Sequence, residues 1–163
     1  MNNWTTTYLT SAGYSESAAL FALSLYVAGL TCMRLLIGSA LRKKDPVKLM
    51  FGTLGLAATG FFLIYISSTL VVVMLGLILV GAGLAAGFPV MLGLAGHRFA
   101  ALSATAFSVI FTVSLSGNML INFFMGRITD RWGMKQYITV AFAELAFLIL
   151  LCALGRVNSA KEK

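Results

Sequence analysis

Residues 70–95 read LVVVMLGLILVGAGLAAGFPVMLGLA, without one charged side chain. A soluble helix of that length would need a polar face, and a strand of that length is rare. A bilayer needs about 20 consecutive apolar residues to be crossed by a helix. This stretch therefore predicts a membrane span, and it decides the fold class.

Working outward, four more apolar runs of spanning length are predicted at about 17–36, 49–66, 100–125 and 137–154. The composition agrees, with 60% hydrophobic and only 10% charged residues, against roughly 25% charged in soluble domains. The predicted fold is all-α: a polytopic transmembrane bundle of about five spans, forming a single domain over 1–163. Residues 1–16 are read as an extracytoplasmic tail and 155–163 as a cytoplasmic tail. Within the first of these, residues 1–14 read as a loop with Trp4 and Tyr8 as interfacial anchors. Tyr14-Ser15-Glu16-Ser17 can cap the first span. Asp45-Pro46 marks a turn with proline at the start of the next helix. Ser67-Ser68-Thr69 reads as a tight turn, and the GRITDRWGMKQ stretch, 126–136, as a loop.

The net charge of +7 lies mainly in loops and at helix ends. It is read as orientation and lipid-headgroup contact, not as a nucleic-acid surface. With alternating spans, nine basic residues share one side: Arg34, Arg42, Lys43, Lys44, Lys48, Arg98, Arg156, Lys161 and Lys163. Three share the other: Arg127, Arg131 and Lys135. The richer side is assigned to the cytoplasm. The N-terminus is then outside and the C-terminus inside a cytoplasmic (inner) membrane. An N-out chain with an odd number of spans and no signal peptide leaves the expectation that further helices precede Met1.

Chemistry is sparse. Cys32 and Cys152 sit in apolar runs without ligand-spaced neighbours, and His97 is the lone histidine, at a helix end. No nucleophile–base pair, phosphate loop or metal cluster is visible, so an enzyme is excluded and neither metal nor cofactor is expected. The polar residues of the fourth span carry more. At 100° per residue, Thr105, Ser108, Thr112 and Ser116 fall within a stripe of roughly 80°, and Ser114, Asn118 and Asn122 fall on a second. Hydroxyls on such a helix suit close packing and bonds back to their own carbonyls, whereas an amide does not belong in lipid. Glu144 is the only acid well inside a span, at about the expected depth of Thr112 and Ser114. Its readings are a structural hydrogen bond or proton coupling. In the third span, Gly83, Gly87 and Pro89 permit close packing or a hinge.

Several stretches resemble the C-terminal half of a major facilitator superfamily transporter, and together they cover nearly the whole chain. Trp4-Thr5-Thr6-Thr7-Tyr8-Leu9 followed by Gly13-Tyr14-Ser15 is similar to the end of that family's seventh helix. The run from Met33 through Arg34, Gly38 and Leu41 to Arg42-Lys43-Lys44 is similar to the end of the eighth, with Met33 where the family has glycine. Gly81-Ala82-Gly83-Leu84-Ala85-Ala86-Gly87-Phe88-Pro89 resembles the tenth helix of the fucose-permease-like branch. Thr105 to Asn118 resembles the eleventh, and Gly126-Arg127-Ile128-Thr129-Asp130-Arg131-Trp132-Gly133 the loop before the twelfth.

The resemblance implies helices eight to twelve of an incomplete six-helix half, with the substrate site at the interface of two halves. It implies that the fourth span lines the central cavity, which makes Asn118, Asn122, Ser114 and Thr112 the candidate solute contacts. Arg34, Arg42 and Lys43 become candidates for a cytoplasmic loop latch, against plain positive-inside anchoring. The function implied is secondary transport of a small, sugar-like polar solute by alternating access, with proton symport and with the chain inactive alone. The alternatives are part of an organic-ion or drug efflux transporter, and a small non-transport membrane subunit. The partners implied are the bilayer, the solute and a missing N-terminal half.

Overall fold

The computed structural model describes residues 2–39, 45–67 and 69–161, with side chains over 4–39, 45–67 and 69–154. All secondary structure among them is helical: α1 (Asn2–Ser11), α2 (Glu16–Ser39), α3 (Pro46–Ile66), α4 (Leu70–Leu84), α5 (Gly87–Arg98), a 3-10 turn (Ala100–Leu102), α6 (Ser103–Trp132) and α7 (Gln136–Lys161). Five stretches are long and apolar enough to cross a bilayer: Glu16–Ser39, Pro46–Ile66, Leu70–Arg98, Ala100–Trp132 and Gln136–Leu154.

Local chemistry sets several of the helix ends. The Ser15 hydroxyl accepts from the Ala18 amide at 3.3 Å, and Glu16 occupies the first turn of α2, where it complements the helix dipole. The Asp45 carboxylate accepts from the Val47 amide at 2.9 Å, and Pro46 opens α3 where its missing N–H costs nothing. Ser67 takes the Thr69 amide on its hydroxyl at 3.2 Å between α3 and α4; Ser68 lies outside the described residues.

Four segments differ from the sequence expectation. Residues 2–11 are a helix, not a loop. Thr5 and Leu9 are buried, and this burial offsets the weak helix propensity of a Thr-rich segment. The helix stops at Gly13 (φ +95°). The Gly13 amide donates to Thr10 and the Tyr14 amide to Leu9, both at 3.1 Å, a pairing that requires a left-handed residue.

The third span is broken into α4 and α5 at Ala85-Ala86. Pro89 lies in the first turn of α5 and has no N–H to give the Ala85 carbonyl, so a continuous ladder fails there. The fourth span runs on to Trp132. Nothing in Gly126–Trp132 blocks a helix until Gly133, at φ +80°, whose amide donates to the Thr129 carbonyl at 3.0 Å. The expected loop is thus reduced to a turn at 133–135. Finally, α7 runs on to Lys161, past the tail expected from residue 155.

Packing is uneven. Helix α4 lies between α2 and α3, and glycines bring the three backbones together. Gly29 lies on the Ile78 carbonyl, Gly81 on the Tyr26 carbonyl, and Gly83 on Ala57. A Cβ at Gly60 would stand 2.6 Å from the Gly76 oxygen. Side chains at these positions would force the helices apart. Helix α7 packs on α3, where Phe61 and Phe142 meet at 5.7 Å between centroids and the Cys152 thiol reaches the Met50 sulfur at 3.8 Å. By contrast α5 buries no residue and α6 buries only Met125.

Candidate functional site

Three helices place polar side chains in one cleft. On α6, Asn122 and Met125 stand one turn apart on the side that faces the rest of the chain. Trp4 of α1 lies across that side, with its ring 3.8 Å from the position a Cβ would take on Gly126. Its indole N–H donates to Asn122 Oδ1 at 2.9 Å. The Asn122 amide nitrogen in turn donates to the Asn118 carbonyl at 2.8 Å and to Asn118 Oδ1 at 3.0 Å. On α7, Tyr137 shares a 2.9 Å hydrogen bond with Thr5 of α1, and both residues are buried. Tyr8 stacks on the Tyr137 ring at 5.2 Å. Burial, with Tyr14 second, holds the Tyr8 phenol above its ordinary value, so the stack is between neutral rings.

Between these groups lies a small cleft of about 20 Å³, lined by Trp4, Ile121, Asn122, Met125, Tyr137, Val140, Ala141 and Glu144. Such a volume holds about one water molecule. Glu144 is half-buried in it. It therefore sits beside Ile121 and Asn122, not beside Thr112 and Ser114 as expected. The reason is the longer α6, which moves the α6–α7 turn from its expected place down to Gly133 and shifts the facing residues with it.

The predicted solute contacts separate into two groups. Asn118 and Asn122 are joined to each other and, through Asn122, to Trp4; Asn122 is half-buried and Asn118 is exposed. Ser114 falls on the same stripe and is exposed. Thr112 belongs to the other stripe, with Thr105, Ser108 and Ser116. All four are exposed, roughly on the far side of the helix from Met125 and from Phe107, which meets Gly96 of α5. The Ser108 hydroxyl donates to the Thr105 carbonyl at 2.9 Å and the Thr112 hydroxyl to the Ser108 carbonyl at 2.8 Å, the expected bonding back to the helix. No described element covers this line.

The hinge candidates also divide. Gly83 is locked against Ala57, whereas a Cβ on Gly87 would meet nothing within 4 Å. Gly87 and Pro89 both lie in the first turn of α5, just past the break. Of the latch candidates, Arg34 is exposed on α2 and makes no ion pair with a described residue; Arg42 and Lys43 lie outside the described residues. His97 and Arg98 close α5, where the Arg98 charge complements the helix dipole. Among the described residues, no cluster of His, Cys, Asp and Glu has metal-binding spacing.

Comparison of the chain with family models, curated proteins and solved structures finds no match.

Proposed function

We propose that this chain is the C-terminal portion of a secondary active transporter of the major facilitator type. In this reading it moves a small, sugar-like polar solute across the cytoplasmic membrane by alternating access. The observation that carries it is the outer side of α6. A spanning helix with Thr105, Ser108, Thr112 and Ser116 in line, and no described residue of its own chain over them, is built to face water or another set of helices. The helix break at Ala85-Ala86 adds support. Irregular backbone at membrane depth is tolerated where it is covered by protein or lines a cavity, and α5, beyond the break, packs on α6.

The N-terminus is outside and the C-terminus inside, from the charge bias. Thr69→Cys in sealed cells is then labelled by an impermeant thiol reagent and His97→Cys is not; the reverse pattern overturns the orientation. Asn118 and Asn122 serve the solute path indirectly, by fixing α6 against α1, while the hydroxyl line, Thr112 included, faces the solute; Ser114 stands on the opposite side, with Met125. The partners are the bilayer and an N-terminal set of helices.

The test is reconstitution. The purified chain alone in liposomes should carry no saturable solute flux. The chain isolated from its native membrane with the helices that accompany it should carry one. Saturable flux by the chain alone refutes the incomplete half, and an intact assembly that moves no sugar-like solute refutes the transport reading. Efflux of an organic ion by that assembly would support the alternative branch instead.

A further inference from the structure

Glu144 is the one acid among the described residues that stands away from the ends of a spanning helix. It makes no hydrogen bond and no ion pair with any described residue. No Lys, Arg or His lines its cleft. An ionised carboxylate is costly in that setting, so either it holds a proton or a donor comes to it. The groups around it can be named. Helix α6 supplies Ile121, Asn122 and Met125, none of which titrates. Helix α1 supplies Trp4, with Tyr8 behind it on the Tyr137 ring. Helix α7 itself supplies Tyr137, tied to Thr5.

We infer that Glu144 is a proton-binding site and that Trp4 responds to its charge state. An indole has one N–H and accepts nothing. Here that N–H is held by Asn122 Oδ1, and both Trp4 and Asn122 line the cleft that holds Glu144. The protonated acid is itself a donor. It makes no demand on the indole N–H, so Trp4 stays on Asn122 Oδ1. The ionised acid accepts only, so it competes with Asn122 for the indole N–H. Only one O–H bond is made or broken, and the proton is exchanged with water, for which the cleft has room.

Because Trp4 joins α1 to α6, the charge on α7 sets how three helices meet. Proton coupling through this site rests on the transport reading above; the binding site does not.

The experiment uses the full chain in lipid nanodiscs with Trp132→Phe, which leaves Trp4 as the sole tryptophan. Trp4 emission is followed from about pH 4 to about pH 9, short of phenol ionisation. A one-proton transition in emission wavelength or intensity is expected. It should persist in Glu16→Gln, Asp130→Asn and His97→Gln, be absent in Glu144→Gln, and return with a moved midpoint in Glu144→Asp. Flat emission in the parent overturns the inference, as does a transition that survives in Glu144→Gln. If Glu144→Gln loses its helical circular dichroism, Glu144→Asp decides alone: a folded, flat Glu144→Asp also overturns it. A chain that titrates in this way inside an assembly that transports nothing leaves the proton site standing and removes the transport reading. A transporting assembly with silent Trp4 does the reverse.

Discussion

The spans Leu70–Arg98 and Ala100–Trp132 are both apolar and long, yet they stand at opposite ends of the packing scale. In the most apolar stretch of Leu70–Arg98, 44% of residues are buried; in that of Ala100–Trp132, none is. Glycines explain the first, since Gly76, Gly81 and Gly83 let α4 lie directly on the backbones of α2 and α3. The second has bulky residues all round: Val109, Phe111, Leu115, Met119, Leu120 and Phe123 are exposed, with the hydroxyl line running among them. In lipid there is no hydrophobic drive to bring helices together, so close contact depends on small residues and polar bonds. Hydropathy alone therefore identifies both helices as spans but does not separate a packed helix from an uncovered one.

The contrast can be broken at its tight end. Gly81→Ala puts a methyl group onto the Tyr26 carbonyl, and overpacking of that kind costs about 1–3 kcal/mol or more. Its unfolding midpoint in mild detergent should fall well below that of the parent. Gly93→Ala, with nothing within 4 Å of the new methyl group, should hold or raise the midpoint, by roughly 0.4–1 kcal/mol. Equal effects at both sites would mean that the α4 packing is wrong.

An intermediate effect is expected where α6 touches the rest of the chain. Asn122→Leu leaves the Trp4 N–H without its acceptor and should cost about 1–3 kcal/mol, the penalty for an unpaired, partly buried donor. Trp4 fluorescence should change with it. Thr5→Val removes the bond to Tyr137 and should cost about 1 kcal/mol.

The smallest effect belongs to the uncovered side: Ser108→Ala should shift stability by less than about 0.5 kcal/mol, as for an exposed substitution. A large loss at Ser108 would show that the outer side of α6 packs against this same chain.

Much of this fold was legible in the sequence for one physical reason. A bilayer imposes a length, and runs such as 70–95 satisfy it without reference to any partner. The cap at Ser15 and the helix start at Pro46 were legible because each is a local event. Other features depend on distant neighbours or on the balance of local terms. Helix α1 is short and Thr-rich, and its contacts with α2, α6 and α7 hold it as a helix. Gly126–Trp132 looks like a loop because it is charged, but charge does not end a helix; Gly133 does. The cleft was the least legible part. Trp4 and Asn122 are 118 residues apart in sequence, and Thr5 and Tyr137 are 132 apart. Asn122 and Glu144 are each visible as polar residues in a span, but their meeting depends on where the α6–α7 turn falls, and α6 runs about two helical turns past its expected end. A tryptophan at a polar chain end gave no signal beyond interfacial anchoring.

In the proposed transporter the hydroxyl line of α6 faces water, while the rest of the helix surface faces lipid or its own chain. Single cysteines placed at each position from 104 to 120, with Cys32 and Cys152 replaced by alanine, measure this in native membranes with a water-soluble thiol reagent. Reaction rates should peak at Thr105, Ser108, Thr112 and Ser116 and fall at Ile110 and Val113, with the period of a helix. Uniformly unreactive positions, or a maximum at Ile110 and Val113, would contradict the account.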